Sequence, residues 1–191
     1  MDRIEVFKIL RKSDALLEGH FELRSGLHSD RYFQCANVLR FPRQAEKLCS
    51  ALAAKVRKGL KKGTKIDTVI APAMGGIHVG HEVAKALNVK SIFAEKKDNV
   101  LVLRRFEIKK GERCLVAEDV VTRGGRVQET IDIVKKAGGR VVGVAMLVDR
   151  SGGKARFSCP AFSLIEMEPV TYDPRKCPLC AAGGKAKHPG S

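Results

Sequence analysis

The sequence predicts an α/β fold, a mostly parallel sheet flanked by helices, and three observations lead there. From residue 66 onward, apolar strand-like runs alternate with stretches of helical periodicity. Two of the runs, IDTVIAPA and VVGVAMLVD, are apolar almost throughout, as strands covered on both faces are. Glycine-bearing turns, at Met74-Gly75-Gly76 and at Gly124-Gly125, separate strand from helix.

Each element can be justified in chain order. Residues 3–12 place Ile4, Phe7 and Ile9/Leu10 at helical spacing, which predicts a first helix. The stretch EGHFELRSGLHSDRYFQCANVL reads as two short extended segments around a polar loop with a turn at Ser25-Gly26. A second helix is expected over 42–58, with Ala45, Leu48/Cys49, Leu52 and Val56 as its buried stripe. Pro42 suits its first turn and Gly59 its end. After the strand IDTVIAPA comes a helix carrying Ile77, Gly80, Ala84 and Leu87 on one face. Strands are expected at 91–94, 100–103 and 113–118, with a turn at Lys110-Gly111. A helix over 124–137 has the stripe Val127, Ile131 and Val134 and is closed by Gly138-Gly139. VVGVAMLVD and AFSLIEME supply the last strands. The 191 residues make a single domain, 1–191, whose tail over 170–191, rich in Pro, Gly, Lys and Ala, is expected to be loosely held.

Composition narrows the function classes. A hydrophobic fraction of 44% is ordinary for a globular chain and argues against global disorder. No apolar run approaches the ~20 residues that span a bilayer, and the N-terminus has no signal-peptide core. A cytoplasmic protein is the expectation, and six scattered cysteines suit a reducing compartment. The formal charge of +15 favours anionic partners, among them phosphorylated metabolites and nucleic acid. With only 5% aromatic residues, the chain lacks the interleaved aromatic and basic pattern of a nucleic-acid surface.

The stretch RCLVAEDVVTRGGRVQETIDIV concentrates the chemistry. A hydrophobic strand ends in two carboxylates, Glu118 and Asp119, and a Thr-Arg-Gly-Gly-Arg turn opens into a helix. Ligands of open α/β sheets bind outside the carboxyl ends of strands. Glycines at 124 and 125 let backbone N–H groups approach an anion, and the helix N-terminus favours a phosphate. Carboxylates beside a phosphate cradle suit a sugar phosphate, whose ribose hydroxyls they accept hydrogen bonds from. Neither the P-loop nor the dinucleotide-binding glycine spacing is present.

AEDVVTRGG resembles the phosphoribosyl-pyrophosphate (PRPP) motif of the type I phosphoribosyltransferases. Within that family the likeness is to the orotate phosphoribosyltransferases and covers nearly the whole chain. LLEGHFELRSGLHSDRYF is similar to their N-terminal hood (residues 1–40 contributing it), APAMGGIHVG to their pyrophosphate loop, and LVDRSGG to the strand that follows. The resemblance implies the type I fold with a small N-terminal hood. It also implies an enzyme of pyrimidine synthesis that moves the 5-phosphoribosyl group of PRPP to orotate.

Roles follow from the resemblance residue by residue. Glu118 and Asp119 would hold the ribose hydroxyls, with Val120 and Val121 in the same motif. Thr122, Arg123, Gly124, Gly125 and Arg126 would wrap the 5-phosphate. Ala73, Met74, Gly75 and Gly76 would form the pyrophosphate turn, and Arg24 matches a basic hood position touching PRPP. Tyr32, Phe33, Thr122 and Arg150 would contact orotate, the guanidinium suiting a planar anionic ring. Mg²⁺ is expected to ride on the pyrophosphate rather than in a protein cage. The family's mobile catalytic loop usually reads Arg-Lys-x-x-Lys-x-His. Here the matching residues 95–101 keep Lys96, which with Asp119 is the expected catalytic pair, but lack the second lysine and the histidine. Arg104 and Arg105 are alternative sources of charge. In the family this loop reaches a neighbouring subunit, so a homodimer is implied.

Other features stay in the background. Cys177-Pro-Leu-Cys180 has the spacing of half a zinc site without a second pair. His188 or a second subunit are open sources of further ligands, and an idle thiol pair is the default reading. His78 and His81 read as packing or surface histidines. Two alternatives remain: a transferase of the same fold using another base, and an RNA-binding regulator built on it.

Overall fold

The computed structural model describes residues 1–23, 25–98, 100–168 and 170–189. Helix α1 (Arg3–Lys12) is capped by Asp2, whose side chain accepts from the Glu5 N–H, and it buries Val6 and Leu10. Ile4 is instead 81% exposed, because the 3.6-residue repeat sets the width of an apolar stripe and packing sets its phase. Strands β1 (Leu16–Glu22) and β2 (His28–Phe33) form an antiparallel pair, followed by a short helix α2 (Ala36–Leu39) that periodicity does not reveal. Helix α3 (Pro42–Gly59) buries Ala45, Leu48, Cys49, Leu52 and Val56, the expected stripe, together with Ala53.

The rest is the α/β body. It comprises β3 (Thr68–Pro72), α4 (Gly75–Leu87), β4 (Lys90–Lys97), β5 (Val100–Val102), β6 (Arg113–Val121), α5 (Gly125–Lys136), β7 (Arg140–Asp149) and β8 (Ala161–Glu166). The strands make a six-stranded sheet in the order β5-β4-β3-β6-β7-β8. All neighbours from β4 to β8 are parallel, and β5 runs antiparallel to β4 at the edge. Successive strand residues feed opposite faces. Val69, Leu115 and Ala117 join the core beneath α3 and α4, while Ile70, Cys114 and Val116 join the core beneath α5. Both faces are covered, as a parallel sheet requires. On α4 the buried positions are Val79 and Val83 beside Gly80, Ala84 and Leu87, whereas Ile77 is only half-buried.

The tail departs from the expectation of loose chain. Strand β9 (Thr171–Tyr172) pairs with β2 and completes a three-stranded hood sheet, β1-β2-β9. After a 3₁₀ turn at Pro174–Lys176 and helix α6 (Pro178–Ala181), the chain runs back along β1. There the Glu22 N–H donates to the Lys187 carbonyl at 2.9 Å and the Lys187 N–H to the His20 carbonyl at 2.8 Å. Composition reads as loose because Pro, Gly and Lys bury little apolar surface; backbone pairing with the hood is invisible to it. Among the described residues no helix is long and apolar enough to cross a membrane.

Candidate active site

The sheet order reverses between β3 and β6. From β3 the chain proceeds to β4 on one side, and β6 then enters on the other, so the helices after β3 and β6 leave toward opposite faces. This topological switch point opens a crevice at the strands' carboxyl ends. A cleft of about 490 Å³ lies there, walled by Ala73 and Gly75 on one side and by residues 118–127 on the other, with Lys96 also on its wall. Glu118, Asp119, Val120, Val121, Thr122, Arg123, Gly124, Gly125 and Arg126 all line it. Val121 is 2% exposed, so its contribution to the cleft is through the backbone.

Glu118 and Asp119 sit near the carboxyl end of β6, where the buried strand meets the cleft. Glu118 Oε1 accepts the Asp119 N–H at 3.0 Å, and Asp119 Oδ1 accepts the Val120 N–H at 2.8 Å. Burial, then the charge of Asp119 and a hydrogen bond to it, raise the Glu118 carboxyl well above the ordinary carboxylate range. The folded chain therefore holds a proton that the unfolded chain releases. Stability is highest below the unfolded value and falls as pH rises toward the folded one. Glu118→Gln is expected to raise the melting temperature at pH 8 by a few degrees, at roughly 2–4 °C per kcal/mol for a domain of this size. It should leave the melting temperature nearly unchanged at pH 4. Thermal melts across that range check the sign.

The pyrophosphate-type turn and the acid pair touch. A Cβ on Gly75 would lie 2.8 Å from Asp119 Oδ2, and one on Gly76 would lie 3.0 Å from Glu118 Oε1. Only glycine allows this approach, which brings the N-terminus of α4 against the carboxylates. Both residues belong to the first turn of α4 rather than to a free loop, and the Ala73–Met74 peptide is cis. Met74 itself is 82% exposed and does not wall the cleft. Across the cleft Gly124, at φ +78°, is the N-cap of α5, so the free N–H groups of that helix open onto the cleft.

A second group gathers where the hood meets β7. The Arg150 N–H donates to the Val121 carbonyl at 2.8 Å, and the guanidinium lies 5.7 Å from the Phe33 ring centroid. Its Nε is buried without a hydrogen-bond partner among the described residues. Burial lowers the affinity of this side chain for its proton. Tyr32 leans instead on Phe21, with ring centroids 5.9 Å apart. Arg24 lies outside the described residues.

A model of the phosphoribosyl transferase domain matches residues 42–173. The orotate phosphoribosyltransferase of Heliobacterium modesticaldum is 50% identical over all of this chain and 99% of its own length. That of Desulforamulus reducens is 49% identical, over 100% and 98% of the two chains. The chain belongs to the orotate phosphoribosyltransferase family. The fold agrees: the crystal structure of the orotate phosphoribosyltransferase from Aeropyrum pernix superposes with a TM-score of 0.71 at 23% identity, covering 84% of this chain and 93% of that one.

Against the family's pattern, the stretch corresponding to the catalytic loop is folded here as the β4–β5 hairpin. Lys96 pairs in register with Leu101. Arg105 Nε is held by Glu95 Oε1 at 3.0 Å and Arg104 Nη1 reaches the same oxygen at 4.0 Å, so both arginines are engaged outside the cleft wall. Arg126 makes a 2.7 Å ion pair with Glu129 within α5. A wider cleft of about 1000 Å³ opens at the amino ends of the strands. Its acidic residues are paired with basic neighbours, Asp67 with Arg113 and Glu112 with Lys90, and Lys109, Lys110 and Arg140 also line it. His78 and His81 are exposed on α4, at a small cavity beside Phe93 and Phe106.

Proposed function

We propose that this chain transfers the 5-phosphoribosyl group of PRPP to orotate, giving orotidine 5′-phosphate and pyrophosphate. The observation that carries this reading is the adjacency of three parts in one cleft: an acid pair, a glycine-capped helix N-terminus and a pyrophosphate-type turn. The 5-phosphate sits on the turn formed by Thr122, Arg123, Gly124, Gly125 and Arg126, where backbone N–H groups and the start of α5 face it. Glu118 and Asp119 hold the ribose hydroxyls, and Ala73 and Gly75, which wall the cleft, receive the pyrophosphate at the start of α4. The C1–oxygen bond to pyrophosphate breaks as a ring nitrogen of orotate bonds to C1. Positive charge builds on the ribose beside the Asp119 carboxylate, with Glu118, whose carboxyl is held protonated, beside it as a neutral hydrogen-bonding group. Negative charge builds on the leaving group beside Lys96.

Oxygen donors beside a pyrophosphate turn suit Mg²⁺, which binds through phosphate, carboxylate and water. Asp119, 2.8 Å from the Cβ position of Gly75, is the side chain placed to meet it. Carried on the pyrophosphate, the ion would neutralise the leaving group. Arg150, with its unpaired Nε, supplies the cationic contact for the orotate carboxylate, and Phe33, with Tyr32 beyond it, closes the ring's flank. The chain works as a cytoplasmic homodimer, the arrangement the family's loop implies.

The test is a panel of bases assayed with PRPP and Mg²⁺. Orotate is expected to be used at least tenfold faster than uracil or adenine, and preference for a neutral base would overturn the assignment. Arg150→Gln should raise the KM for orotate by about tenfold, the cost of losing a charged hydrogen-bond partner. The KM for PRPP should stay within about twofold. A parallel rise in both would remove Arg150 from the orotate contact.

A further inference from the structure

The hood and the tail share a cluster that the transfer reaction does not use. His20, within β1, and His28, at the start of β2, bring their rings to a centroid distance of 4.7 Å. Against them lies the start of α6, with Cys177 at its N-cap and Cys180 one turn on. Cys177 Sγ is 3.6 Å from His20 Nε2, and Cys180 Sγ is 3.7 Å from His20 Nε2 and 3.3 Å from His28 Nδ1. The two ring nitrogens are 2.8 Å apart, and the four ligand atoms all lie within 4.8 Å of one another.

We propose that His20, His28, Cys177 and Cys180 form a closed, structural zinc site that fastens the C-terminal tail to the hood. A tetrahedral ion with Zn–S of ~2.3 Å and Zn–N of ~2.0 Å sets its nitrogen and sulfur ligands about 3.5 Å apart. The three nitrogen–sulfur separations bracket that value. The donor set is specific for the metal, because two thiolates and two imidazoles in a tetrahedron suit zinc over magnesium or calcium. Two thiolates also cancel the ion's charge, so the site is neutral where Cys177 and His28 are buried.

The orientation of His20 supports a ligand role independently. Its Nδ1 lies 3.1 Å from the Gly184 carbonyl, which can only accept. That contact fixes the proton on Nδ1 and leaves the Nε2 lone pair aimed at the cluster, the usual arrangement around a metal-bound histidine. With no ion between them, the converging lone pairs and sulfurs would gain little from this arrangement. His188, the tail histidine that sequence spacing offers, faces away: its Nδ1 meets the Glu22 carbonyl at 3.2 Å.

The site also answers a packing problem. Strand β9 contributes two residues to the hood sheet, and the tail beyond it buries little apart from Cys177. Metal binding contributes folding free energy directly, and here it would close a loop of well over a hundred residues. Because β2 carries His28 near one end and Phe33 at the other, the ion would hold the strand from which the proposed base contacts project.

The experiment uses full-length protein purified under reducing conditions without chelator. Metal content by plasma mass spectrometry should give about one zinc per chain, matching a structural affinity that survives purification. The Cys177→Ser/Cys180→Ser double variant and His20→Ala should each bring it below about a tenth of that, while His188→Ala keeps it. Cobalt substitution of wild-type protein should give a thiolate charge-transfer band and strong tetrahedral d–d bands, a readout that needs no variant to fold. Stripping the zinc should raise amide exchange over 16–33 and 171–189 and leave the α/β body protected. Metal-free wild-type protein that fails to take up zinc or cobalt would overturn the proposal. So would a zinc content lost in His188→Ala and kept in His20→Ala. Zinc content is independent of turnover, so this result stands apart from the transferase reading.

Discussion

Asp119→Asn is expected to lower kcat by about 10²–10³-fold, the range seen when one pre-positioned electrostatic contact to a transition state is removed. The substitution keeps shape and keeps an acceptor for the Val120 N–H, which Asp119 Oδ1 now receives at 2.8 Å. In the proposed mechanism, what it removes is a negative charge beside the carbon that becomes cationic as pyrophosphate departs. Because that charge matters most at the transition state, the KM for PRPP should move far less than kcat. Steady-state kinetics with a thermal melt on the same preparation separate this from a folding defect. A variant within about threefold of wild type would remove Asp119 from the chemistry.

Lys96→Ala is expected to cost about 10²-fold in kcat, with Lys96→Arg recovering part of it. Lys96 is the cation on the β4–β5 hairpin that lines the cleft, whereas Arg104 and Arg105 are drawn to Glu95. Stabilising the departing pyrophosphate is a transition-state effect, so the reverse reaction of orotidine 5′-phosphate with pyrophosphate should slow by the same factor. An unchanged reverse rate, or an Arg104→Ala/Arg105→Ala variant that loses more activity than Lys96→Ala, would shift the role to the arginines.

The parts of the fold legible in the sequence are those written in local periodicity. The stripe Ala45, Leu48, Cys49, Leu52 and Val56 and the stripe Val127, Ile131 and Val134 are buried as their spacing requires. The motif 118–126 was legible because strand end, glycines and helix start are contiguous, so one stretch of chain carries most of the cleft. Phase was harder: Ile4 is exposed and Ile77 only half-buried, because which side of a helix meets the core depends on partners far along the chain. The tail's pairing was hidden for the same reason. Its partners are backbone groups of β1 and β2, and the ligands that complete the Cys177–Cys180 pair come from His20 and His28, 157 and 152 residues away for Cys177–His20 and Cys180–His28. No spacing rule links such positions; only the hood's closure does. Arg150 shows the intermediate case, since the family resemblance points to it while its unpaired Nε and its place over Phe33 emerge only in three dimensions.

The most direct test of the central claim follows the ultraviolet absorbance of orotate after addition of PRPP and Mg²⁺ to the purified protein, with Asp119→Asn run in parallel. Orotate is expected to be consumed with one pyrophosphate released per molecule, and the variant is expected to slow this by the factor given above. Orotate left untouched by protein that binds PRPP in calorimetry would contradict the assignment.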